Sequence, residues 1–160
     1  MTSLRVRSCA IADQIDVRQV PAETTRPLRM AVLRPGQPPD TALYAGDDAV
    51  ASAHFGAFDG DEVVGVASLY AEDRDGGPAP GWRLRGMATA PSHRGLGVGR
   101  RILNACVDFA ATEGGAELWC NARLVAERFY QRAGFEIVSD EFDIAGLGPH
   151  HVMRLLLASR

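Results

Sequence analysis

Between Leu84 and Arg101 the chain reads LRGMATAPSHRGLGVGRR, a run whose residue types and spacing suit an anion. Arg94 is followed by Gly95, Gly97 and Gly99, and the apolar spacing of a helix starts at Val98. A strand that enters a helix through glycines gathers unbonded backbone N–H groups around one point, and the helix N-terminus adds roughly half a positive charge there. Phosphate is the usual guest of such a place. Glycine lets it approach the backbone and supplies positive φ where the loop needs it. Two common nucleotide loops do not fit. A Walker loop requires Gly-Lys-Ser/Thr, and the chain has no lysine. A dinucleotide loop requires G-x-G-x-x-G. Counted from Gly95 the third glycine, Gly99, falls one position early, and counted from Gly97 the third position is Ile102.

The pattern that remains, Arg94-x-x-Gly97-x-Gly99, resembles the Arg/Gln-x-x-Gly-x-Gly/Ala pyrophosphate loop of the GNAT superfamily of N-acetyltransferases. Its setting strengthens the likeness. It follows a strand ending in Met87-Ala88-Thr89-Ala90-Pro91 and precedes a long amphipathic helix. A second stretch, Asn121-Ala-Arg-Leu-Val-Ala-Glu-Arg-Phe-Tyr-Gln-Arg-Ala-Gly-Phe135, is similar to the family's other signature, in which an Asn ends the fifth strand and Ala…Phe-Tyr…Gly-Phe forms the next helix and strand. The likeness covers about residues 60 to 157. The segment Gly146 to Met153 resembles the end of a bacterial subgroup with a short Gly-Pro-His turn.

The resemblance implies an α/β (α+β) GNAT fold. Its sheet is mixed and mostly antiparallel, of about six to seven strands, with helices on both faces and a parallel strand pair that splays apart. It implies acetyl-CoA as acyl donor, held in that splay. The pantetheine amides would pair with backbone at Met87 and Thr89. The pyrophosphate would rest on the amides of Arg94, Gly95, Leu96, Gly97, Val98, Gly99 and Arg100, with charge from Arg100 or Arg101. Asn121 would bond the pantetheine arm. An N–H of Met87 or Ala88 would hold the oxyanion. Tyr130 would be the general acid for the departing sulfur, a phenol being protonated at neutral pH. The implied reaction is direct transfer of acetyl to a primary amine of a small molecule or peptide in a ternary complex; family members are often dimers, and whether this chain forms a homodimer is left open. The competing readings are a non-catalytic acyl-CoA sensor and a transferase of longer acyl groups.

The general base is left open. Many family members carry a Glu on the strand before the glycine loop, where this chain has Arg83 and Arg85. His54, Glu72, His150 or solvent remain. Each side chain has a plainer reading: His54 as a packed strand residue, Glu72 as a solvated turn residue, His150 and His151 as flanks of a strand start. Arg83 and Arg85 point to one face of a strand. They imply an acidic acceptor, unless they face solvent or pair with nearby carboxylates. Two adjacent histidines without a partner pattern make no metal site.

A formal charge of −3 argues against broad nucleic-acid binding. No apolar run reaches the roughly 18 residues of a membrane span, and the N-terminal run has too short an apolar core for a signal peptide. Cys9, Cys106 and Cys120 lack C-x-x-C spacing and read as thiols in a reducing cytoplasm, two of them small core residues. At 160 residues the chain suits one domain, 1–160, with residues 1 to about 13 a loose arm.

These residues must be positioned by a definite series of elements. Ile15, Val17 and Val20 mark a first strand ended by Pro21. Thr24 or Thr25 caps a helix with Pro27 in its first turn and Leu28, Ala31 and Val32 inward. Three prolines make 34–40 an irregular loop that runs on through Asp47-Asp48. Residues 49–58 and 62–70 are extended runs joined at Asp59-Gly60. Trp82 to Thr89 is the next strand. Val98, Ile102, Ala105, Cys106, Phe109 and Ala110 give a helix face stopped by Gly114-Gly115. Glu117 to Asn121 is a strand parallel to Trp82–Thr89. A short helix follows with Val125, Phe129, Tyr130 and Ala133 inward, then a strand 135–138, a loop 140–150 and a last strand 151–157.

Overall fold

The computed structural model describes residues 13–157; the arm expected over residues 1 to about 13 and Cys9 lie outside them, apart from Asp13. The elements are β1 (Ile15–Val20), α1 (Ala22–Leu28), β2 (Ala53–Asp59), β3 (Glu62–Ala71), β4 (Gly81–Thr89), α2 (Val98–Thr112), β5 (Glu117–Arg123), α3 (Glu127–Arg132), β6 (Glu136–Ile137), β7 (Phe142–Ile144) and β8 (Gly148–Leu156). One sheet of eight strands runs in the order β1-β2-β3-β4-β5-β8-β6, with β7 on β8. Its described pairings are antiparallel except for β4 and β5, which pair in parallel. The eighth strand lies where a loop was expected. Gly146 takes a φ of +78° and Leu147 N–H donates to Ile144 O, so the glycines close a hairpin and β8 begins at Gly148. Pro149 fits because the β5 ladder starts only at His150.

The chain forms two compact units, one comprising the chain up to Tyr70 with Gly86–Cys106, the other Ala71–Arg85 with the chain from Val107 onward. In the first, β1 runs antiparallel to β2 from Ile15↔Asp59 to Val20↔His54, and β2 turns into β3 at Gly60, with φ of +60°. The register shifts at Ala57/Phe58, leaving Val64 unmatched, and its carbonyl takes the Ala90 N–H at 2.8 Å. Gly65 lets α2 approach: a Cβ there would stand 2.5 Å from Ile102 Cδ1 and 2.9 Å from Val98 Cγ1. Ser68, on the other face of the same strand, meets Arg29, so elements pack on both faces of β3.

The first helix differs from expectation. Pro21, not a threonine, is its N-cap, and Thr25 lies inside it with its hydroxyl donating to Ala22 O at 2.6 Å. The buried face is Ala22, Thr25 and Arg29, while Ala31 is exposed. Pro27, inside the helix, removes one backbone bond, and the helix widens directly into a π turn over Arg29–Leu33.

In the second unit, Gly81, Trp82 and Arg83 pair with Glu117, Leu118 and Trp119. Both strands run on beyond this ladder, so β5 reaches Arg123 and Asn121 lies within it, not at its end. Gly114 (φ +80°) and Gly115 cap α2, with Gly115 N–H donating to Ala110 O. The Trp82 ring meets Phe109 edge-on at 5.5 Å. β5 pairs with β8 from Glu117↔Leu156 to Arg123↔His150. Val125 is 93 % exposed, because the chain turns through a 3-10 segment, Leu124–Ala126, before α3 begins. It is not on an inner helix face. Among the described residues no helix is long and apolar enough to cross a membrane.

Candidate active site

The glycine-rich loop is built as a cradle. After β4 the chain makes a 3-10 turn, Pro91–His93, then passes Gly95 and Gly97 at φ of +75° and +81°. A Cβ at either glycine would meet nothing within 4 Å, so the space over the loop is open. The first bond that closes α2 runs from Arg101 N–H to Gly97 O at 3.1 Å. The amides of Val98, Gly99 and Arg100 therefore precede any carbonyl of their own helix and point along its axis with the dipole. Val98 is buried against the sheet and fixes the first turn. The basic side chains are more committed than the sequence implied. Arg101 donates to Ile15 O, and Arg100 Nε donates to Asn104 Oδ1 at 3.3 Å. Arg94 is exposed.

Upstream, Gly86 breaks the regularity of β4 with φ of +66°. A Cβ there would come within 3.1 Å of the Tyr44 ring and 3.2 Å of Arg29 Nε. Met87, Ala88 and Thr89 follow it directly, so their backbone is aimed by what lies against Gly86.

That neighbour is a buried polar cluster that sequence reasoning missed. Arg29 has no exposed surface. Its Nη1 donates to Asp47 Oδ2 at 2.7 Å and Ala42 O at 2.8 Å, and its Nη2 to Asp47 Oδ1, Ser68 Oγ and Tyr70 Oη. The guanidinium lies 4.1 Å from the Tyr44 ring centre. Tyr70 donates to Asp47 Oδ1 at 2.5 Å, and the Tyr44 amide donates to Oδ2 at 3.0 Å. Burial would raise the Asp47 carboxyl, yet the hydrogen bonds from Arg29, Tyr70 and the Tyr44 amide overrule it and hold it at about 2. Burial and the Asp47 bond push the Tyr70 phenol up. The signal was the spacing Ala22, Thr25, Arg29, a helix face that apolarity alone does not show.

His54, a candidate base, belongs to this cluster. Ser68 Oγ donates to its Nδ1 at 2.6 Å and its Nε2–H donates to Asp47 O at 2.9 Å. Both ring nitrogens are thus engaged within the protein. Glu72 is paired with Arg83 Nη1 at 3.2 Å. Arg83 also lies 5.0 Å over the Trp119 ring, whose Nε1–H donates to Glu72 O. One arginine expected to face an acidic acceptor therefore has a carboxylate partner already, while its Nε is buried and unbonded.

Tyr130, on α3, is buried between the rings of Phe129 and Phe135, at 5.1 and 5.3 Å. Its hydroxyl hydrogen-bonds the Cys120 side chain on β5; burial pushes that thiol up to about 12 despite Arg83 and Tyr130. Cys106 is likewise a buried thiol. Asn121 is half-buried on β5, opposite Val152. His150 is buried, with Nδ1 2.7 Å from Gly148 O and its ring stacked on Phe142. His151 pairs with Glu127. Among the described residues no group of three or more His, Cys, Asp or Glu could hold a metal ion.

Comparison with known proteins bears on this arrangement. A model of the Acetyltransferase (GNAT) family matches residues 22–135. The chain is 32 % identical over 143 residues to YitI, an uncharacterized N-acetyltransferase of Bacillus subtilis (strain 168), covering 87 % of this chain and 94 % of that one. A GCN5-related N-acetyltransferase from Kribbella flavida superposes with a TM-score of 0.67 at 25 % identity, over 90 % of this chain and 98 % of its own. An aminoglycoside 6'-N-acetyltransferase complexed with coenzyme A gives a TM-score of 0.74 at 16 % identity, over 91 % and 98 %.

Proposed function

Because the chain belongs to the GNAT acetyltransferase family and is an acyltransferase of that kind, we propose that it moves acetyl from acetyl-CoA directly to a primary amine of a small molecule or peptide in a ternary complex. The observation that carries this reading is the open cradle at Gly95 and Gly97 leading into the N-terminus of α2. A pyrophosphate there would be met by amides from Arg94 to Arg100, with no side chain at Gly95 or Gly97 to hold it off the backbone. Backbone at Met87 and Thr89 pairs with the pantetheine amides, and Asn121 bonds the same arm. An N–H of Met87 or Ala88 takes the oxyanion of the tetrahedral intermediate. Tyr130 gives its proton to the departing sulfur; its burial beside aromatic rings keeps the phenol dry, and its contact with Cys120 fixes the hydroxyl. The buried thiols Cys106 and Cys120 suit a reducing compartment such as the cytoplasm.

Calorimetry with coenzyme A and thiol release over an amine panel test the reading together. Binding with amine-dependent release is expected; binding without release for any amine marks a sensor, and no binding ends the proposal. Tyr130→Phe is expected to lower kcat at least about tenfold while coenzyme A affinity stays within about threefold. Unchanged kcat removes the acid role.

A further inference from the structure

Acyl transfer from a thioester leaves the proton of the attacking amine to be accounted for, and the side chains proposed from the sequence to take it differ sharply in their surroundings. His54 has both nitrogens engaged, and Glu72 is held by Arg83. His150 is different. Its Nδ1 stands 2.7 Å from Gly148 O, a carbonyl that can only accept. The proton is therefore on Nδ1, and the lone pair is on Nε2. Nδ1 is the ring nitrogen that carries a hydrogen bond among the described residues, and Nε2, which is not one of the fully buried unpartnered atoms, keeps contact with solvent. The ring is 3 % exposed and stacks on Phe142 at 5.9 Å and 27°. Phe142 is also its partner across the β7–β8 ladder, so the ring is held in one orientation.

The strand register says which way it faces. Trp119, Asn121 and Arg123 on β5 lie opposite Arg154, Val152 and His150 on β8. Register partners share a face. His150 is therefore on the face of Asn121 and Trp119, two rungs beyond Asn121 toward the C-terminal end of β5. The alternate set, Cys120 and Ala122 with Met153 and His151, lies on the other face. That is where α3 packs, with Glu127 on His151 and the Tyr130 hydroxyl on Cys120. Charged groups on that face of the two strands are Arg123, across the ladder on β5, and Arg154, four residues along β8 and paired with Glu136 and Glu117. β7 presents the uncharged Phe142, with Asp143 on the opposite face, and the Leu124–Ala126 turn carries no charge.

We propose that His150 Nε2 is the general base for the acceptor amine, on the face of β5 opposite the acid Tyr130; this rests on the transfer reading above. An amine protonated on arrival gives one proton to Nε2. Its freed lone pair forms the C–N bond to the thioester carbon. The C–S bond breaks with its electron pair on sulfur, and the thiolate takes the Tyr130 proton. The second proton from nitrogen restores the phenol, and the imidazolium releases the first to solvent. Acid and base thus serve the two ends of the reacting bond system from separate sides.

The test is His150→Asn, whose side-chain amide can still donate to Gly148 O but offers no basic nitrogen, with His150→Gln alongside it. At neutral pH kcat/KM is expected to fall at least about thirtyfold, and the acidic limb of its pH profile to flatten, while coenzyme A affinity by calorimetry and the melting temperature stay put. Weakly basic amines, already neutral on arrival, should lose far less than strongly basic ones. A variant that binds coenzyme A and keeps kcat/KM within threefold, with the wild-type acidic limb, overturns the proposal. Should both variants fail to fold, the wild type decides: equal dependence on imidazole protonation for weakly and strongly basic amines overturns it, and dependence confined to strongly basic amines supports it. Absence of coenzyme A binding by the wild type would instead sink the transfer reading itself.

Discussion

Taking Arg29 out of water is expensive, because an ion pair in a low-dielectric interior regains its lost hydration only if every donor and acceptor is met. Here Asp47, Ser68, Tyr70 and the Ala42 carbonyl surround it, leaving Nε the unbonded atom, beside Gly86. The pair is correspondingly intolerant of losing one member. The Asp47 carboxyl sits at about 2, below its ordinary 3.8. A depressed folded-state value contributes stability that is present above the unfolded value and is lost as pH falls from about 3.8 toward 2. The contribution is roughly 2 kcal/mol. Urea unfolding at pH 6 and pH 3 should show the wild type losing about 1 kcal/mol more than Asp47→Asn, roughly half of the contribution because pH 3 lies midway through that window; the variant starts about 3 kcal/mol lower at pH 6 because it leaves the guanidinium buried with an uncharged partner. Equal losses in both proteins would remove Asp47 as the source. This cluster was not legible in the sequence. Asp47 read as the far end of an irregular loop, and an arginine on a helix is ordinarily outward-facing.

At the scale of elements the sequence was clearer where one physical signal dominated. Asp59-Gly60, Gly114-Gly115 and the apolar face of α2 each admit few conformations, and they stand where expected. The misreadings came where signals competed. Gly146 and Gly148 marked a loop by composition, but their positive φ values close a hairpin. Val125 had helix spacing, yet the backbone turns before α3 starts. Gly65 carries a consequence for the cradle. It allows the first turns of α2 to lie close on β3, with Val98 and Ile102 nearest. Gly65→Ala should cost about 1–3 kcal/mol in chemical denaturation and weaken coenzyme A binding severalfold, since α2 must shift at its N-terminal end. A variant as stable as the wild type, with unaltered affinity, would show that the approach is slack.

Across the whole chain the glycine loop and the Tyr130 helix were readable because each is a contiguous motif. Which base candidate stands open was not, since it depends on register between β5, β7 and β8 and on one carbonyl two residues from His150. The absence of lysine adds a practical point: the described side chains include no amine to compete with an added acceptor.

The exposed stretch from Pro35 to Asp40 joins partners that are otherwise held together across it. On its N-terminal side lie β1, laddered to β2 over six residues, and Arg29, locked to Asp47. Arg101 adds a bond to Ile15 O. A protease site inserted between Gly36 and Gln37 and then cut should therefore yield two fragments that elute as one species from a sizing column and separate only in denaturant. Independent elution would mean that the covalent link, not the ladder and the ion pair, keeps them assembled. If they do stay joined, this chain can be divided there into complementing halves, each inert until it finds the other.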